Sequence, residues 1–169
     1  ANNRVLRFDG AAAKANGAAA NGVLGQPDFT TNSSPSPTQS GMNNVRGVFG
    51  DAVGRIYTVE EFTNNRILVF NNAAGLANGA NADNVLGQAN FLTGTAALPP
   101  TISSFSSPNG IYIDNASNQV WIADAGNNRV LRFDVPIGGP TTGVNDRSDQ
   151  SPTDYALAQN YPNPFNPGT

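Results

Sequence analysis

The sequence predicts an all-β fold of repeated, four-stranded antiparallel units, and three observations carry that prediction. Asn-Asn-Arg occurs three times, each time opening a short apolar run: NNRVLRF at residues 2–8, NNRILVF at 64–70 and NNRVLRF at 127–133. The arginines, Arg4, Arg66 and Arg129, stand 62 and then 63 residues apart, and VLGQPDF at 23–29 returns as VLGQANF at 85–91 with the same period. Self-similarity at a fixed period is the signature of a repeat architecture. Charged residues make up only 12% of the 169 residues, against 18 Gly and 12 Pro. That balance suits tight turns between short strands rather than long surface helices.

The chain opens within a unit. NNRVLRF is expected to be the third strand of a first unit and VLGQ the fourth. The best-defined unit runs over residues 47–91. GVFGDA (47–52) reads as its first strand, ending in a turn at 51–54. RIYTVEEF (55–62) reads as the second strand, since Tyr and β-branched residues suit a pleated, packed surface. Thr63-Asn64-Asn65 is the next turn, because Asn tolerates the left-handed conformation. RILVF (66–70) is the third strand and NVLGQ (84–88) a short fourth. The last unit repeats the first three: GIYIDN (110–115), QVWIAD (119–124) and RVLRF (129–133). Gly47 corresponds to Gly110, Asp51 to Asp114, Glu60 to Asp124 and Met42 to Phe105.

The third strands are apolar on both faces. Leu6, Leu68 and Leu131 share one face with Phe8, Phe70 and Phe133; Val5, Ile67 and Val130 lie on the other. A strand apolar on both faces is covered on both. Four short antiparallel strands per unit, covered on both sides by like units, describe β-propeller blades. Such a ring needs about 4–8 blades, so this chain holds an incomplete propeller.

GIYIDNASNQVWIADAGNNRVLRFD (110–134) resembles an NHL repeat. The matching residues are Gly110, Asp114, Ile122-Ala123-Asp124, Gly126-Asn127-Asn128-Arg129 and the apolar run that follows. The middle copy departs from the pattern, with Glu60-Glu61-Phe62-Thr63 in place of the Asp-Ala-Gly portion. The resemblance covers residues 2–134 and implies a propeller fold. Some propellers of this kind are lyases that use histidine and a bound metal, and this chain has no histidine to carry that activity over.

Bulk properties narrow the function. A net charge of −3 argues against a nucleic-acid partner, which needs a basic face. No run of 18 apolar residues is present, so no membrane-spanning helix is expected. The absence of cysteine removes disulfides and thiol chemistry, and the absence of histidine removes the commonest general base. No enzyme activity, catalytic residue, metal or cofactor is therefore expected.

Several residues admit a sharper reading. The repeat-motif residues Asn3, Arg4, Asn65, Arg66, Asn128 and Arg129 could form a ligand-binding ring; the preferred reading is structural, each Arg capping its hairpin and packing its stem over a neighbour. Asp51, Asp114 and Asp124 could bind calcium, but no calcium-loop spacing surrounds them, and turn chemistry is preferred. Glu60 and Glu61 are adjacent on a strand and point to opposite faces, so a surface role is expected rather than paired catalysis. Tyr57 and Trp121 occupy equivalent positions and are assigned to the core between blades rather than to a sugar-stacking platform. Asn32 and Asn115 each begin a glycosylation sequon, a weak signal on its own.

Three segments follow: propeller repeats over 1–134, a linker over 135–154 without periodicity, and a terminal segment over 155–169. That segment, YALAQNYPNPFNPGT, carries Tyr161, Pro162, Asn163, Pro164, Phe165, Asn166 and Pro167. It strongly resembles the opening of the C-terminal sorting domain of type IX secretion in Bacteroidetes-like bacteria. The resemblance implies export to the cell surface or the medium. The sequence begins in mid-repeat and stops within the first strand of that sorting domain, so it is expected to be processed or truncated.

Two accounts of the incomplete ring stay open. One is a fragment of a longer propeller. In the other, chains complete one another by strand exchange, as a ring or a filament, with the duplicate NNRVLRF strand available for donation. The expected function is a secreted, non-enzymatic structural or assembly protein; the alternative is a secreted propeller that binds glycan or peptide.

Overall fold

A computed structural model describes residues 2–134. The linker and the sorting-motif residues Tyr161 to Pro167 lie outside the described residues. The described chain is all-β, with nine strands in three antiparallel sheets. The first sheet pairs β1 (Val5–Arg7) with β2 (Gly22–Leu24). The second has the order β3 (Val45–Gly50), β4 (Ile56–Glu60), β5 (Arg66–Phe70), β6 (Asn84–Leu86). The third has the order β7 (Pro108–Asp114), β8 (Gln119–Asp124), β9 (Arg129–Asp134). The first sheet thus holds the third and fourth strands of a blade, the second a whole blade, and the third the first three strands.

The second asparagine of each triplet adopts the left-handed conformation the turn requires: φ is 48° at Asn3, 43° at Asn65 and 53° at Asn128. Each is followed at once by its arginine, which turns the chain into the third strand. The VLGQ glycines end the fourth strands for a similar reason. Gly25 and Gly87 have φ of 87° and 85°, and a Cβ on Gly87 would lie 2.0 Å from the Phe105 ring. Only glycine lets Phe105, and in the preceding blade Met42, pack beneath the turn.

Strand ends differ from the sequence expectation in instructive ways. First strands begin at Val45 and Pro108, ahead of the expected Gly47 and Gly110, because each runs through a β-bulge at the same place. The second strand of the middle blade stops at Glu60 rather than Phe62, since Phe62 takes a left-handed φ of 57°.

Two apolar cores lie between the sheets. Leu24 and Met42 meet Leu68, Phe70 and Ala82 between the first and second sheets. Tyr57, Val59, Ile67 and Val69 meet Phe105, Ile111, Val120 and Ile122 between the second and third. The middle sheet is therefore covered on both faces, and all five residues of β5 are buried.

Candidate functional site

Each Asn-Asn-Arg triplet sits at the centre of a polar knot, and the middle blade holds the complete version. Arg66 is fully buried with Glu60. Its Nε donates to Glu60 Oε1 at 3.2 Å, one Nη donates to the Phe91 carbonyl at 2.6 Å and the other to the Gly41 carbonyl at 2.9 Å. The guanidinium thus ties its own hairpin to a loop 25 residues behind it and another 25 residues ahead. Burial pushes the Glu60 carboxyl above its ordinary range, and Arg66, the Asn64 amide and the Asn43 N–H hold it down only in part.

Asn65 and Gln88 complete the knot. The Asn65 side chain donates to the Gly94 carbonyl at 2.8 Å, and its Oδ1 accepts from the Ser107 N–H of the next blade at 2.7 Å. Gln88 donates to the Asn65 carbonyl at 3.1 Å and to Thr95 at 3.3 Å. The two repeated motifs, Asn-Asn-Arg and VLGQ, are therefore two halves of one hydrogen-bonded unit that also staples a blade to its successor.

The end blades hold partial copies. In the first, Asn3 accepts from the Asn44 N–H at 3.0 Å, Gln26 donates to the Asn3 carbonyl at 3.1 Å, and Arg4 donates to the Phe29 carbonyl at 2.8 Å. Its forward contacts are present, but the Arg4 Nε is buried without a partner. In the third, Arg129 pairs with Asp124 at 2.7 Å and donates backward to Thr101 and Ser104 carbonyls. Asn128 is exposed, where Asn3 and Asn65 are buried.

Other sequence candidates fall as follows. Asp51, Asp114 and Asp124 serve three separate turns. Asp51 accepts from the Arg55 N–H at 2.9 Å, from the Arg55 guanidinium at 2.5 Å and from the Tyr57 hydroxyl at 3.1 Å; burial opposes its charge, but these partners outweigh burial and lower its pKa. Asp114 accepts from the Ser117 hydroxyl and from backbone N–H groups, which lower its pKa. Among the described residues no cluster of three or more acidic groups could hold a metal ion. The surface role expected for Glu60 and Glu61 is overturned. Glu60 is fully buried against Arg66, and Glu61 is buried in an ion pair with Arg46. The assignment of Trp121 to the core also fails: Tyr57 is covered by the third sheet, whereas Trp121 lies on the uncovered side of that sheet with Arg132 5.8 Å over its ring. The sequon residues Asn32 and Asn115 are exposed.

Gln26 and Gln88 are the residues that sequence reasoning missed, and the pairing of Glu60 with Arg66 is the contact it missed. The signals were present: an acid ends the second strand in both blades that have one, and a glutamine closes both VLGQ copies.

The uncovered faces at the two ends are the other candidate surface. Leu6 and Phe8, 39% and 43% exposed, stand where Leu68 and Phe70 are buried in the middle blade. At the far end Tyr112 and Trp121, 65% and 38% exposed, stand where Phe49 and Tyr57 are covered by the third sheet.

Residues 105–133 match the NHL repeat family. No curated protein sequence matches the chain. With the blade geometry, the match supports a β-propeller fold.

Proposed function

We propose that this chain is a secreted, non-enzymatic structural module that associates head to tail through its two incomplete end blades. The observation that carries the reading is the pairing of uncovered faces. One end offers what a blade presents to its predecessor, and the other what a blade presents to its successor. Such contacts are heterologous, so they close into a ring or continue as a filament. Sedimentation velocity from micromolar concentration upward, with electron microscopy of the same samples, tests this. Mass that grows with concentration into rings or fibres supports it; a folded, monodisperse monomer throughout sinks it. Export rests on the sorting-motif resemblance at residues 155–169 and is tested by fractionating cells that express the tagged chain.

A second reading is favoured by a cleft of about 780 Å³ along β6. Apolar Val85, Leu86 and Phe91 line it together with the hydroxyls and amides of Asn90, Thr93, Thr95, Thr101 and Ser103, a mixed surface suited to a glycan or an extended peptide. A glycan and peptide array probed with the purified chain separates this reading from the first.

A further inference from the structure

We propose that the exposed Phe62 ring, with Arg46 and Glu61 beside it, is a platform that binds one pyranose ring of a neutral oligosaccharide. This rests on the glycan-binding reading given second above and assigns that binding to a site outside the β6 cleft.

The platform is built by an insertion. Glu60 and Arg66 are register partners in the middle blade, as Asp124 and Arg129 are in the third. Five residues, 61–65, join the first pair, and four, 125–128, join the second. The shorter turn is folded down onto its own blade. The Gly126 N–H donates to the Ser106 carbonyl at 2.8 Å, and a Cβ on Gly126 would lie 2.4 Å from Ser106 Oγ. The longer turn instead lifts Phe62 out, in the left-handed conformation at φ 57°. A bulky side chain is rarely found there.

Neighbours on both sides hold Phe62 in that state. The Glu61 N–H donates to the Asn44 carbonyl at 3.2 Å, and the Asn65 side chain donates to the Phe62 carbonyl. The ring is 54% exposed and belongs to neither apolar core. The strained turn therefore adds no core packing. Backbone strain of this kind persists where a site needs it. Every residue of the platform lies in the middle blade, whose four strands are all described. It sits at the turn between the second and third strands and at the start of the first, not on a sheet face that another blade covers.

The chemistry of the three groups selects the ligand. The Arg46 guanidinium lies 5.4 Å from the ring centroid and pairs with the Glu61 carboxylate. The third blade has Asn109 and Ala125 at the positions of Arg46 and Phe62, so it has neither ring nor ion pair there. The electron-rich face of an aromatic ring receives the C–H bonds of one side of a pyranose. A guanidinium only donates and a carboxylate only accepts, while vicinal sugar hydroxyls do both. The two charges cancel, so the platform suits a neutral sugar rather than a charged peptide. Asn44, which donates to the Thr63 hydroxyl at 3.4 Å, extends the polar rim.

The full chain is run in native gels that contain soluble β-glucan, xylan or galactomannan, with polygalacturonate as the charged control. The pentasaccharide of any retarding polysaccharide is then titrated by calorimetry. Retardation by at least one neutral polysaccharide is expected. Phe62→Ala should weaken binding about tenfold or more, Phe62→Tyr should keep it, and Arg46→Gln should weaken it less. Phe62→Gly should also lose binding without lowering the thermal midpoint, because glycine adopts the left-handed φ freely. A lowered midpoint with binding kept would assign the ring a structural role and overturn the proposal. Thr95→Arg, which crowds the β6 cleft, should leave affinity unchanged. Binding that survives Phe62→Ala but is lost in Thr95→Arg overturns this site and leaves glycan binding in the cleft. Retardation by polygalacturonate alone overturns the neutral platform and leaves the glycan reading standing. No retardation by any of these polysaccharides overturns both.

Discussion

The middle and end blades carry nearly the same motifs, yet they are different physical objects. Arg66 has an acid beside it, a carbonyl behind and a carbonyl ahead, and no solvent. Arg4 has the forward carbonyl and no acid; Arg129 has the acid and the backward carbonyls. The contrast teaches that the repeat motif does not fold a blade by itself. It specifies bonds that reach into neighbouring blades, and the motif is satisfied only when both neighbours are present.

The sharpest way to break the comparison is to remove the guanidinium. Arg66→Ala leaves Glu60 as an uncompensated buried charge, and a loss of about 3–5 kcal/mol is expected. Arg129→Ala should cost less, about 1–3 kcal/mol, because Arg129 is partly exposed and water can reach the site. Urea unfolding of the two variants gives both values. Equal losses would mean that blade position does not govern the strength of the knot.

The next contrast is apolar. Leu68→Ala opens a cavity between two sheets and should cost about 2–5 kcal/mol. Leu6→Ala, at the equivalent but uncovered position, should cost under about 1 kcal/mol in dilute solution. If Leu6→Ala proves as costly as Leu68→Ala when the chain is monomeric, the first sheet is covered in a way that these faces do not reveal.

Much of this was legible in the sequence. The period located every blade, β5 and β8 ran as expected, and the left-handed turn at Asn65 followed from asparagine's own chemistry. What failed was burial. Trp121 reads as core because Tyr57, its equivalent, is core; yet burial belongs to the next blade, not to the residue. Glu60 reads as surface because strand alternation says which face a side chain takes but not whether that face is covered. The tertiary neighbours decide, and a local pattern carries no record of them.

A smaller effect tests the middle blade alone. Thr58 occupies the register position that Ile122 holds in the third blade, and its hydroxyl is buried without a partner. Thr58→Val should stabilise the protein by about 1 kcal/mol, since the orphaned hydroxyl is replaced by a methyl group of similar volume. Thermal unfolding reads the change, and a lowered midpoint would mean that the hydroxyl has a partner after all.

The smallest expected effect lies in acid. Asp51 and Asp114 hold equivalent turns, and both titrate below the ordinary value of 3.8. For a carboxyl whose folded pKa is depressed, the unfolded chain binds more protons in the intervening window. The stabilisation is present in full above about pH 4 and is lost as pH falls through the folded pKa. Both accept from N–H groups of their own turn, Asp51 from Arg55 and Val53 and Asp114 from Ala116 and Ser117; Asp51 adds the Arg55 guanidinium and the Tyr57 hydroxyl at the blade interface, Asp114 only the Ser117 hydroxyl of its exposed turn. Asp51→Asn should therefore flatten the acid limb of the stability curve more than Asp114→Asn. Urea midpoints at pH 7 and pH 3 measure the two slopes. A larger change from Asp114→Asn would place the dominant acid-sensitive contact in the exposed turn, and would reverse the ranking of a covered blade over an uncovered one.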